Sequence, residues 1–202
     1  MVSIRTITTT AAGLLLSLAP AALAVTSATV VNNLATLEGK SYALQDPARE
    51  VNLVNAQLSV TGLGPIPGLI REYRDFITFV SGLNAAYQGS PPFAAGDAAA
   101  ATIPTSFRRF VVAHSILLNI LTGNARLAGF VPGVGVLPPL NVDFGNVLSD
   151  ARAALETYAA RIVALTDAAA DAQIQSSWAE INGTFNAAYS FYRSGLLNDI
   201  LS

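Results

Sequence analysis

The chain has 202 residues, 52% hydrophobic and 12% charged, with 11 basic and 13 acidic side chains, one histidine and no cysteine. This composition rules out disulfides, thiolate metal sites and cysteine nucleophiles, leaves His114 as the sole imidazole for any triad or zinc site, and offers no basic run for nucleic-acid phosphates. A buried apolar core must supply the stability, and the length suits one domain with no expected cofactor or metal.

In chain order, Met1 to Ala24 reads as a secretory leader, with Arg5, an apolar run through Leu14, Leu15, Leu16 and Leu18, a breaker at Pro20, and Ala22-Leu23-Ala24 ahead of Val25. The expectation is a signal peptide over 1–24 and one mature domain over 25–202. No later apolar stretch of about 20 residues runs uninterrupted, and the Ser202 end lacks a glycolipid-anchor tail. A released or non-covalently held extracellular or wall-associated product, without a transmembrane segment, follows.

Through the mature part, apolar residues recur at three- and four-residue steps, which predicts an all-α, single-domain antiparallel bundle of five or six helices joined by apolar Pro/Gly-rich loops. The first helix carries Val30, Leu34, Leu37 and Leu44 on one stripe. A second is expected to start with Asp46 as N-cap and Pro47 in its first turn, running through Val51, Val54 and Leu58, either as a separate helix or as one bent rod with the first. A third, from about Pro67 to Tyr87, presents Leu69, Tyr73, Phe76, Val80, Leu83 and Tyr87, and Gly89-Ser90-Pro91-Pro92 stops it.

After an Ala-rich lead-in over Asp97 to Ala101, the most apolar helix opens at Pro104-Thr105-Ser106. One of its faces holds Phe107, Phe110, Val111, Leu117, Leu118 and Leu121; Val112, Ile116 and Ile120 form a second, which predicts an element buried on several sides. Two more helices are marked by Phe144, Val147, Ala151, Leu155, Tyr158, Ile162 and Leu165, and by Ile174, Trp178, Ile181, Phe185, Tyr192 and Leu196.

Two connections are apolar where loops are normally polar: Gly62 to Gly68, and Gly129 to Leu140. Their Pro and Gly content argues against ordinary helix. Either they plug the end of the bundle, or Leu63, Ile66, Phe130, Val131, Val134, Val136 and Leu137 form a rim that contacts a hydrophobic surface or lipid-like ligand.

Candidate chemistry is sparse. His114 falls on the apolar face of the central helix, where a lone histidine is usually a hydrogen-bonded core residue; a hydrolase would need a carboxylate beside it. Arg108 and Arg109 form either a plain surface pair or a contact for a charged headgroup near a helix start. Arg71 and Asp75 suit a solvated pair. Asp167 and Asp171 suit a helix junction better than a cation site. The sequon Asn182-Gly183-Thr184 is a glycosylation candidate inside a predicted helix.

Leu44-Gln45-Asp46-Pro47-Ala48, Asn52-Leu53-Val54-Asn55-Ala56, Gly64-Pro65-Ile66-Pro67, Gly89-Ser90-Pro91-Pro92-Phe93 and His114 to Leu121 together resemble the small secreted ultraviolet-inducible proteins of filamentous fungi. More distantly, the cysteine-free helical pattern is similar to fungal hydrophobic surface-binding proteins and cell-wall galactomannoproteins. That resemblance implies a stress-related or wall-associated protein that attaches to hydrophobic surfaces or encloses fatty-acyl ligands, and it brings no catalytic residue set. The two long apolar loops and the lack of a Ser/Thr-rich tail depart from the galactomannoprotein pattern. The expectation is a non-enzymatic binder of apolar material. A structural wall or host-interaction protein without a small-molecule site, and a hydrolase using His114, are the alternatives.

Overall fold

The computed structural model describes residues 25–51, 64–128 and 138–194. Among them lie five helices and no strand: α1 Ser27–Glu50, α2 Pro65–Tyr87, α3 Ile103–Ala128, α4 Pro138–Val163 and α5 Ala168–Ser194, with a short 3-10 turn, Ala100–Thr102, leading into α3. The expected leader, the helical continuation at Val54 and Leu58, and Leu196 lie outside the described residues.

Each start has a local cause. Thr26 caps α1 by accepting from the Thr29 amide at 3.1 Å. Gly64, at a φ of 90° that side chains resist, turns the chain into α2 with Pro65 and Pro67 in the opening turn. Asp97 accepts from the Ala99 and Ala100 amides at 2.9 and 3.2 Å, and Asp167 accepts from Ala169 and Ala170 at 3.0 and 2.9 Å. Asp167 is thus the N-cap of α5, and Asp171 accepts from the Thr166 hydroxyl, so both carboxylates serve the helix junction.

Three sequence expectations need correction. No new helix begins at Asp46; α1 continues through Pro47 to Glu50. Proline there removes one ladder bond, a cost of about 3 kcal/mol, yet Leu44, Gln45 and Ala48 are buried and the Gln45 amide donates to the Ala113 carbonyl of α3 at 3.0 Å. Packing holds the turn that propensity would break. Pro65 to Gly68 and Pro138 to Leu140, expected as loop, form the first turns of α2 and α4, where proline lacks only a hydrogen bond that the helix start leaves unmade anyway. Finally, Val112 and Ile116 are each 40% exposed, so α3 is not buried on several sides; Ile120 alone of that face packs partly against the core.

Cross-helix pairs fix the topology. Glu38 meets Arg109 and Ala48 meets Asn124, so α1 and α3 run parallel; Arg108 meets Glu180 and Leu121 meets Tyr192, so α3 and α5 do too. Asn33 with Tyr87 and Ser41 with His114 and Tyr73 make α2 antiparallel to α1, and Arg152 with Asn182 and Phe144 with Tyr192 make α4 antiparallel to α5. The bundle is an up-down-up-down-up arrangement with α1, α3 and α5 as one layer and α2 and α4 as the other. All six stripe residues assigned to α2 and all seven assigned to the Phe144 to Leu165 helix are buried in the interface.

Candidate functional site

The order of the helices brings the described ends of the two apolar connections, 64–68 and 138–140, to one end. The C-terminal ends of α1 and α3 and the N-terminal ends of α2 and α4 all lie there, because α1 and α3 are parallel and their successors return. Toward that end the core is apolar: Val51, Leu69, Ile70, Leu121 and Phe144 are buried, and Ile66 packs against the core as a partly buried residue. Two polar groups there are engaged inside the fold: Asn124 Nδ2 donates to the Ala48 carbonyl at 2.6 Å and the Tyr192 hydroxyl donates to the Leu121 carbonyl at 2.9 Å. Leu63, Phe130, Val131, Val134, Val136 and Leu137 lie outside the described residues.

The opposite end is closed by polar ties. The Ser27 hydroxyl donates to Asp97 Oδ2 at 2.7 Å, and the Phe93 amide donates to the Leu165 carbonyl at 2.9 Å. The Ser27 hydrogen bond, reinforced by the Ala100 and Ala99 amides, holds the Asp97 carboxyl below its ordinary range. A half-open cleft of about 320 Å³ lies between this connection and the start of α5, lined by alanines together with Phe93, Leu165, Asp97, Thr166 and Asp167.

Between the two ends, at the layer interface, sits His114. It is wholly buried and its ring stacks on Phe76 with centroids 5.0 Å apart, with Phe185 at 5.4 Å and Phe110 at 5.6 Å. Ser41 Oγ lies 2.9 Å from Nδ1, and the Tyr73 hydroxyl lies 2.6 Å from Nε2. The Ser41 hydroxyl proton goes to the Leu37 carbonyl at 2.8 Å, so its oxygen accepts from Nδ1–H; Nε2 therefore accepts from the Tyr73 hydroxyl. Burial holds the imidazole pKa down at about 3 and pushes the Tyr73 hydroxyl well up, the latter with help from Tyr192. Both imidazole nitrogens are occupied, neither by a carboxylate. The chain carries a hydrogen-bonded core histidine where a hydrolase would need an exposed acid–base pair.

The remaining candidates are dispersed. Arg108 pairs with Glu180 of α5, and Arg109 pairs with Glu38 of α1 at 3.1 Å, so the two neighbouring guanidinium groups turn to opposite sides of α3. A shallow groove beside Arg108, lined also by Thr105, Gln173 and Ser176, runs between α3 and α5. Arg71 and Asp75 are both exposed and do not form an ion pair. Asn182 is half-buried against Arg152 of α4. Among the described residues there is no group of three metal-ligating side chains, and no helix is long and apolar enough to cross a membrane. Sequence reasoning missed Ser41 and Tyr73 as partners of His114. Tyr73 was legible only as a core aromatic, and Ser41, although it falls on the α1 stripe between Leu37 and Leu44, is a small polar residue whose partner no spacing names.

No protein-family model and no curated protein matches this sequence. The fold is similar to the crystal structure of Afmp4p in complex with palmitic acid, with a TM-score of 0.67 and 12% identity over 83% of this chain and 99% of that one.

Proposed function

We propose that this protein is a secreted, non-enzymatic binder of apolar material that takes a lipid-like acyl chain at the end of the bundle from which α2 and α4 start. The observation that carries this reading is the likeness of the fold to Afmp4p, crystallised with palmitic acid, across 99% of that chain. Secretion rests on the leader pattern of residues 1–24. The apolar end also supports it: Ile66 and the buried Leu69, Ile70 and Leu121 offer hydrocarbon contacts, while the Asn124 amide and the Tyr192 hydroxyl are already donated inside the fold. Native mass spectrometry of the protein after gentle extraction, followed by displacement of a fluorescent fatty acid with palmitate, tests this reading. A co-purifying lipid and saturable displacement are expected; a ligand-free protein that takes up neither probe would overturn it.

A second reading, adsorption to an extended hydrophobic surface at the cell wall, is favoured by Val112 and Ile116, each 40% exposed on the outer face of α3. Val112→Ser with Ile116→Ser would weaken adsorption to hydrophobic beads and leave palmitate displacement unchanged if the surface, rather than the bundle end, makes that contact.

A further inference from the structure

Asn33, Asn84 and Asn124 each turn the carboxamide nitrogen toward the protein, donating to the Tyr87 hydroxyl, the Ala154 carbonyl and the Ala48 carbonyl. Asn182 does the reverse. Its Oδ1 accepts from Arg152 Nε at 2.6 Å, and since a guanidinium has no acceptor atom, that contact fixes the oxygen inward. Nδ2 has no hydrogen-bond partner among the described residues and is not among the buried unpaired atoms. Beside it the surface is open: Ala179, Gly183 and Asn186 are exposed, and a methyl group added at Gly183 would meet nothing within 4 Å.

We propose that Asn182 is an N-glycosylation site and that its modification precedes the folding of α5. Asn182-Gly183-Thr184 is the acceptor sequence, and the fold makes no use of the one atom that glycosylation consumes. In the transfer, Nδ2 bonds to the anomeric carbon of a lipid-diphosphate-linked oligosaccharide, the lipid diphosphate departs, and Nδ2 gives up one proton. The product remains an amide with its oxygen intact, so the Arg152 contact survives.

The order follows from helix geometry. Residues two apart on a helix do not face each other, so an enzyme that must read Asn182 and the Thr184 hydroxyl together finds them on different sides of α5. In the folded chain the Thr184 hydroxyl is in addition turned to the Glu180 carbonyl at 3.3 Å. The acceptor is legible only before α5 winds.

The test has two arms. The full chain is directed into the secretory pathway of a yeast host, and the Asn182 peptide of the product is examined by mass spectrometry. The major fraction is expected to carry an N-acetylhexosamine-based glycan that N-glycosidase removes. Thr184→Ala should abolish the glycan while keeping Asn182 and its Arg152 bond, and Thr184→Ser should retain it. An unmodified Asn182 in the major fraction of the secretory product overturns the site. In the second arm, bacterially made folded protein and its urea-unfolded form are each diluted into oligosaccharyltransferase with a lipid-linked donor. Transfer to the unfolded chain only is expected. Equal transfer to the folded protein overturns the order.

Discussion

His114 sits where side chains from α1, α2, α3 and α5 converge, and α4 reaches the same cluster through Phe144, whose ring lies 6.1 Å from that of Tyr73. Its neutral form is built in: Nδ1–H is given to Ser41, and Nε2 accepts from Tyr73. Burial lowers its pKa from 6.5 to about 3, so the unfolded chain takes up a proton that the folded chain refuses. Stability from this residue is complete above pH 6.5 and declines as pH falls toward 3. Urea melts should therefore show a loss of about 2 kcal/mol between pH 7 and pH 5, where one histidine is the only side chain expected to change charge, and His114→Phe should abolish that slope. A wild-type midpoint unchanged across this range would contradict the buried, neutral assignment. The histidine's place on an apolar face was legible in the sequence, whereas its partners were not, because Ser41 and Tyr73 come from helices whose register with α3 is set by packing.

At the scale of elements, amphipathic stripes predicted the buried faces well, and cap chemistry decided where helices begin. Asp167→Ala should cost about 0.5 to 2 kcal/mol, because the Ala169 and Ala170 amides lose their acceptor at the start of α5; a thermal melt reads this directly. Helix α3 offers an internal comparison. Leu118 is fully buried and Leu118→Ala should cost about 2 to 5 kcal/mol, whereas Val112→Ser on the exposed face of the same helix should stay within about 0.5 kcal/mol. Comparable losses in chemical denaturation would mean that the buried face is wrongly assigned. The apolar character of Val112 and Ile116 suggested burial from sequence. A hydrophobic residue reports a preference, but only the number of neighbours around α3 determines whether both of its faces are covered. Pro47 misled in the opposite direction: its local cost is real, and the contacts of Gln45 and Ala48 with α3 outweigh it.

Across the whole molecule the two ends differ. One is tied by the Ser27–Asp97 and Phe93–Leu165 hydrogen bonds; the other receives the ends of both apolar connections. Ile66 packs partly on the core, so Ile66→Ser should lower stability by more than about 1 kcal/mol through lost apolar contact and an unsatisfied hydroxyl. Val134→Ser, in the longer connection, should instead weaken palmitate displacement with little change in the melting curve. If Val134→Ser alters neither, that connection takes no part in binding.

The sequence by itself determined the all-α class, one cysteine-free domain and most buried stripes, because periodicity and composition are properties of the local chain. Five short stretches also carry the resemblance to small secreted fungal proteins, a kinship expectation that the fold likeness to Afmp4p does not address. Only the tertiary structure decided that α1, α3 and α5 run parallel in one layer, that Ser41 and Tyr73 fix the tautomer of His114, that Arg108 and Arg109 part to opposite sides of α3, and that Asn182 turns its oxygen toward Arg152. Each of these contacts joins residues distant in sequence. Their geometry is set by how whole helices pack against one another, and no local pattern of residues encodes that arrangement.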